Sequence, residues 1–193
     1  MPQRNETTKD RIISAAAELF YREGIHAVSV DAIAEKAQVT KRGLYYHFRS
    51  KDDLIAAYLE MRDQPNLEAF QRWFADAEGD LPAKIQAIFR KLAKAAGQTG
   101  WKGCGFLRTS VELVQTPGHP AIIAGRRHKT KVEDWLCLIV GELHAPQEAR
   151  KIAKQIILLL DGAFAVVLLH RDPSYMESAG EAAVTLLRAA TRD

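Results

Sequence analysis

Two cysteines, Cys104 and Cys137, are too few for a disulfide framework, and no pattern of paired cysteines and histidines suggests a structural metal. Glycine and proline, at 12 and 7 residues, make up about a tenth of the 193, well short of a low-complexity or fibrous composition. The opening residues Gln3, Arg4, Asn5 and Glu6 are polar and charged, not leader-like, so a reducing cytoplasm is the expected compartment. The most apolar run, 156–169, is interrupted by Asp161 and Gly162. It falls short of the ~20 residues that cross a bilayer, so it reads as a buried helix and no membrane partner is expected. No segment repeats at a fixed period, which argues against a solenoid.

Charge of one sign is also scarce: 27 basic against 24 acidic residues leave a net charge of +3. Residues 1–60 are balanced as well. A nucleic-acid surface would therefore have to come from local placement, not from bulk charge. The stretch 36–51 offers such a placement, with Lys36, Lys41, Arg42, Arg49 and Lys51 and no acidic residue until Asp52. A solvated helix face would look the same on charge alone.

What the chain has in quantity is helical periodicity, with no convincing alternation over four or more residues, so the fold class is all-α. Ile12, Ile13, Ala16, Leu19 and Phe20 mark a first helix that starts after Thr7 or Thr8 and stops at Gly24. Ser29 caps a second helix whose inner face is Val30, Ile33, Ala34 and Ala37. After a break at Gln38 and Val39, Thr40 caps a short third helix in which Leu44 and Phe48 turn inward. Ser50 caps a fourth helix through Leu54, Ile55, Tyr58 and Leu59, which the Gln64–Pro65 step is expected to end. Further helices are predicted at 66–78, 81–97, 104–116, 120–143, 146–170 and 174–191. Two modules result: three small helices up to about residue 50, then a larger helical body.

The second and third helices, about eight residues each and joined by a short turn, follow the helix-turn-helix plan. Ala34 and Ala37 are small enough for close helix approach, and Val39, Leu44 and Phe48 pin the third helix to the core. Its outer face then presents Lys41, Arg42, Tyr45, Tyr46 and His47 to phosphates or base edges. Ser29, Thr40 and Lys51 stand at helix N-termini, where free N–H groups and the positive dipole end favour a phosphate.

Residues 29–54 resemble the signature of tetracycline-repressor-type (TetR) transcriptional regulators in Ile33-Ala34, Ala37, Val39-Thr40, Leu44-Tyr45, His47-Phe48, Lys51 and Leu54. The resemblance covers about residues 8–60. It implies a DNA-binding domain at 1–50, with its motif at 29–48 and the module extending through the fourth helix to about 68. Residues 51–193 are then an effector-binding and dimerisation domain. It further implies phosphate contacts from Ser29, Thr40, Tyr45, Tyr46, His47 and Lys51, and base reading by Lys41, Arg42, Gly43, Tyr45 and Asp31. The partner is a palindromic operator in double-stranded DNA, bound by a homodimer that acts as a repressor. One departure stands out: the family usually has Gly where this chain has Gln38, and a left-handed backbone there would cost Gln on the order of 1 kcal/mol.

For the C-terminal body the resemblance implies a ligand chamber and a dimer interface, with no cofactor. The helix at 146–170 is apolar almost all round between 156 and 169, and the last helix carries Ala182, Ala183, Leu186, Leu187 and Ala190. A four-helix bundle of these two helices with their symmetry mates would cover both, as would the core of a single chain. Asp161-Gly162 is a candidate hydrogen-bonding and close-approach point in that interface. Candidate chamber residues are Phe70, Trp73, Phe74, Phe89, Trp101, Phe106 and Trp135, which suggest a small apolar effector, although each singly also fits an ordinary core. Gly103-Cys104-Gly105-Phe106-Leu107, followed by Glu112, resembles a segment in some branches of the family. Cys104, beside Lys102 at a helix start, has two features that favour a thiolate, which makes a thiol-based redox- or electrophile-responsive regulator the alternative to a ligand-responsive one. A small packed cysteine is the plainer reading.

A helical enzyme is the rival class. The histidines His26, His47, His119, His128, His144 and His170 lack the spacing of a helical metal site, and no nucleophile elbow, phosphate loop or dinucleotide fingerprint is present. No residue is selected as catalytic or as a metal ligand. A protein that coats DNA without sequence choice is disfavoured by the neutral first 60 residues, because such affinity comes from phosphate neutralisation.

Overall fold

The computed structural model describes residues 7–189, and among these it contains α-helices and no strand. Gln3 to Glu6 and Ala190 lie outside the described residues. The helices are α1 (Thr8–Glu23), α2 (Val30–Lys36), α3 (Lys41–His47), α4 (Lys51–Ala75), α5 (Leu81–Ala96), α6 (Gly105–Glu112), α7 (Pro120–Val140), α8 (Pro146–His170) and α9 (Ser174–Ala189). They form two compact units. One takes the described residues up to Gln64 together with Gly105–Arg126; the other takes Pro65–Cys104 and the described residues from Arg127 onward. The cut does not follow a division at residue 50, because α6 and the start of α7 join the N-terminal helices.

In the N-terminal unit the ends of the helices are fixed residue by residue. Thr7 and Asp10 form a reciprocal capping box on α1, with Asp10 N–H donating to Thr7 Oγ1 at 3.1 Å and Thr7 N–H to Asp10 Oδ2 at 3.1 Å. Gly24 ends α1 at φ +91°, a conformation that side chains rarely adopt. Ser29 Oγ accepts from Ala32 N–H at 3.0 Å, and Thr40 Oγ1 accepts from Gly43 N–H at 3.0 Å. Between α2 and α3, Gln38 N–H bonds Glu35 O and Val39 N–H bonds Ala34 O, both at 3.0 Å, the two bonds of a Schellman turn. Gln38 occupies its left-handed position at φ 55°, so the strain expected at the family's glycine position is present. The core of this unit is Ile12, Ala16, Leu19, Phe20, Ile33, Leu44, Phe48, Leu54 and Leu59 with Phe106.

Three helices differ from the sequence expectation by three residues or more at a boundary, among them α7, which ends at Val140 and not at 143. α4 runs unbroken through Pro65 to Ala75, without the predicted stop and restart at 66. The proline forfeits one backbone bond, toward the carbonyl of exposed Met61, while inward positions Leu59, Asp63, Leu67, Phe70 and Phe74 keep helical spacing across it. α6 ends at Glu112, not at 116, because the chain tightens into successive turns closed by Val114 N–H to Val111 O at 3.3 Å and Thr116 N–H to Leu113 O at 2.9 Å.

The C-terminal unit is built on faces. Asp80 caps amphipathic α5, whose Ile85, Ile88, Phe89 and Leu92 are buried, and α9 packs against both α5 and α8. Gly180 of α9 sits so close that a Cβ there would meet Phe89 Cβ at 2.8 Å. α8 buries Ile152, Ile156, Leu160, Ala163, Phe164 and Val167 on one side. On the other, Leu158 (71% exposed), Gly162, Ala165 and Leu169 (80% exposed) face outward. By length and composition α8 alone among the described residues could cross a membrane, which corrects the shorter span read from the sequence. Its buried face and the ion pair of Asp161 with Lys129 on α7 fit a helix of a packed bundle. Within the chain the Asp161 carboxylate is partnered by Lys129 and stays partly exposed. Of the last helix, Ala183 and Leu187 are buried, and Ala182 and Leu186 are half-buried.

Candidate nucleic-acid interface

Once Leu44 and Phe48 are buried, the seven residues of α3 have no freedom over what they expose. Lys41, Arg42, Tyr45 and Tyr46 stand outward, Tyr46 at 86% exposure, while Gly43 and His47 are half-buried. Tyr46 and His47 meet edge to face at 5.2 Å, which braces a phenol and an imidazole at the C-terminal end of the helix. Lys41 Nζ is 3.0 Å from Asp31 Oδ2, so two of the expected base readers engage each other across α2 and α3. An exposed pair of this kind is worth little and exchanges readily for a phosphate or base edge.

Three hydroxyls mark the helix starts. Ser29, Thr40 and Ser50 each accept a backbone N–H, which occupies a lone pair and leaves the O–H free to donate to an anion. Lys51, first residue of α4, is half-buried. Burial holds its ammonium below the ordinary lysine value, against the opposing attraction of Asp52 and Glu112. The arrangement combines hydroxyl donors, cations and aromatic edges on the exposed side of α3 and at the starts of α2 and α4, groups of the kind that contact phosphates and base edges.

Glu112 and His119 make contacts in this head that the sequence does not assign to them. Glu112 Oε2 accepts the N–H groups of Ile25 at 2.9 Å and His26 at 3.2 Å, and His26 Nε2 lies 2.9 Å from the Glu112 backbone oxygen. A side chain at Gly24 would lie 3.1 Å from the same carboxylate. His119 Nδ1 accepts Ala121 N–H at 3.0 Å, and its Nε2 approaches Asp52 Oδ1 at 3.3 Å. Nothing in the local sequence signals either tie, since Glu112 and Ile25 are 87 residues apart.

The proposed chamber aromatics do not all meet. Phe70 pairs with Trp73 at 5.8 Å and Phe74 with Trp135 at 5.7 Å, while Phe70, Phe89 and Trp135 line one interior space with Ile85, Val132 and Leu160. That space measures about 10 Å³, room for roughly one water. Trp101 is elsewhere, stacked on Phe164 at 6.2 Å beside a 260 Å³ cleft that Gln98 and Arg171 also line. Phe106 belongs to the core of the N-terminal unit. Cys104 is half-buried and immediately precedes α6. Among the described residues no group of three histidine, cysteine or carboxylate side chains is placed to hold a metal.

A short exposed helix capped by threonine, on a three-helix support and joined to an all-helical body, defines a helix-turn-helix protein. Residues 12–58 match the bacterial regulatory proteins of the tetR family. Over 60 residues the chain is 42% identical to the HTH-type transcriptional regulator SrpR of Pseudomonas putida. That match covers 31% of this chain and 28% of SrpR's length. A TetR-family transcriptional regulator from Streptomyces coelicolor shares the fold with a TM-score of 0.81 at 29% identity, over 96% of each chain. A TetR regulator from Legionella pneumophila, at 21% identity, shares the fold with a TM-score of 0.79 over 95% of this chain and 98% of its own. Residues 12–58 are thus similar to the tetR-family module, and the fold of the whole chain resembles that of solved TetR-family regulators.

Proposed function

We propose that the protein is a sequence-specific transcription regulator of the cytoplasm, not an enzyme, that binds a palindromic operator as a homodimer and represses until a small apolar effector releases it. The observation that carries this reading is the outward face of α3, where Arg42 and Tyr46 are fully presented on a module matching the tetR family. Residues 1–50 are the reading domain, and 51–193 hold effector and partner. Arg42, with Lys41, Gly43 and Tyr45, reads bases; Ser29, Thr40, Tyr46, His47 and Lys51 hold phosphates. The uncovered apolar stripe Leu158, Gly162, Ala165 and Leu169 of α8 supports a helix from a second copy as its cover. A Cβ at Gly162 would meet nothing within 4 Å, which leaves room for close approach. Two reading helices held about 34–36 Å apart meet successive major grooves, and an effector acts through its differential affinity for a different spacing.

The test is selection of the purified protein against a random duplex pool at near-physiological salt. An inverted repeat is expected, and Arg42→Ala should relax base preference within each half-site by about 1–3 kcal/mol. No enrichment from folded, dimeric protein, with and without added cell extract, overturns the proposal.

A further inference from the structure

Three lysines lie on α1, α2 and α3, and two are engaged with carboxylates. Lys36 Nζ is 2.8 Å from Glu18 Oε1, and Lys41 Nζ is 3.0 Å from Asp31 Oδ2. Lys9 has no carboxylate partner among the described residues. The acid beside it, Asp10, accepts Thr7 N–H and Thr7 Oγ1–H, and so serves the N-terminus of α1. Lys9 Nζ instead lies over the ring of Phe48, 5.8 Å from its centroid. Phe48 is the residue that ends α3, its N–H bonded to Leu44 O, and its ring is buried while Lys9 is exposed.

We infer that Lys9 is a further phosphate anchor of the reading head, gripping the DNA backbone beside the end of α3 where Tyr46 and His47 emerge. The inference rests on the reading of this chain as a DNA-binding protein and adds a residue that the helix-turn-helix pattern does not contain. A ring face attracts an ammonium but does not neutralise it as a carboxylate does, so the charge and the N–H groups turned away from the ring stay open to an anion. The ring also holds the ammonium end of the side chain in place, which lowers the rotamer entropy lost when a phosphate binds. Lys41 must leave Asp31 to reach DNA; Lys9 has no ion pair to break among the described residues.

The experiment measures binding of the full chain to a random-sequence duplex of about 30 base pairs, three helical turns, across a salt series. Wild type is compared with Lys9→Met, which keeps an apolar stem over Phe48, and Lys9→Arg, which keeps the charge. Losing one phosphate contact lowers the slope of log affinity against log salt by about 0.9, so between ~50 and ~200 mM salt wild type should lose about 3.5-fold more affinity than Lys9→Met. Lys9→Arg should follow wild type. A Lys9→Met slope equal to wild type overturns the inference, even if affinity falls, because a purely structural role changes affinity without removing a counterion. Wild type that shows no salt-dependent duplex binding overturns the proposed function itself, and this inference with it.

Discussion

The N-terminal unit is held at points and the C-terminal unit along faces. α2 and α3 are seven residues each, too short to persist alone, and each is defined by one hydroxyl cap and one or two buried side chains. α8 is 25 residues with no side-chain cap at all, and its length and buried face suffice. The difference concerns how geometry is fixed. Thr40 fixes the start of α3 and the Glu112 carboxylate fixes the loop between α1 and α2, the kind of set geometry that the proposed reading of base edges needs. A helix that only has to bury a stripe tolerates many equivalent contacts.

The sharpest break of this contrast is Glu112→Ala, which strips the acceptor from two backbone N–H groups in the loop between α1 and α2. It should destabilise the protein by about 3 kcal/mol, read as a lower urea midpoint. A loss under 1 kcal/mol would mean that the head does not depend on point restraints. In the C-terminal unit the matching test is Gly180→Ala, which drives a methyl into Phe89. About 2 kcal/mol of destabilisation is expected in thermal unfolding, because packed faces resist overfilling. Gln38→Gly relieves a left-handed residue in the Schellman turn and should stabilise by about 1 kcal/mol, with the DNA half-site unchanged. The smallest effect is in pH. Lys51 is held below the ordinary lysine value of 10.5 by burial, so the folded protein binds fewer protons than the unfolded chain in the alkaline window beneath 10.5. Folding therefore carries a penalty at lower pH that is relieved as pH rises through the lowered value, and Lys51→Met should abolish that rise. DNA affinity should move the opposite way over the same window, falling as the ammonium is lost, while Lys51→Arg stays flat.

Legibility in the sequence followed the same division. The caps Ser29, Thr40 and Ser50, and Thr7 as one of two alternatives, are legible because each acts on a backbone group three residues away. The orientation of α3 was readable because two apolar residues four apart suffice to rotate a helix of seven. The Glu112 and His119 ties were not, since no local pattern announces a contact across 87 residues. The continuation through Pro65 is not legible, because a helix breaker outweighs an inward spacing that passes through the charged Asp63. The aromatic chamber is not legible as a group, since Trp101 and Phe106 go elsewhere and composition lists rings without saying which share a space.

The interior space behind Phe70, Phe89 and Trp135 is about 10 Å³, far below the few hundred that a drug-sized guest occupies. Any molecule admitted there has to wait for the walls to part. Its capture is then timed by breathing of the bundle, so the observed association rate should level off at high ligand concentration instead of climbing in proportion. Apparent affinity is lowered by the rarity of the parted form, and a substitution that shrinks a wall residue would raise sensitivity without adding a single contact.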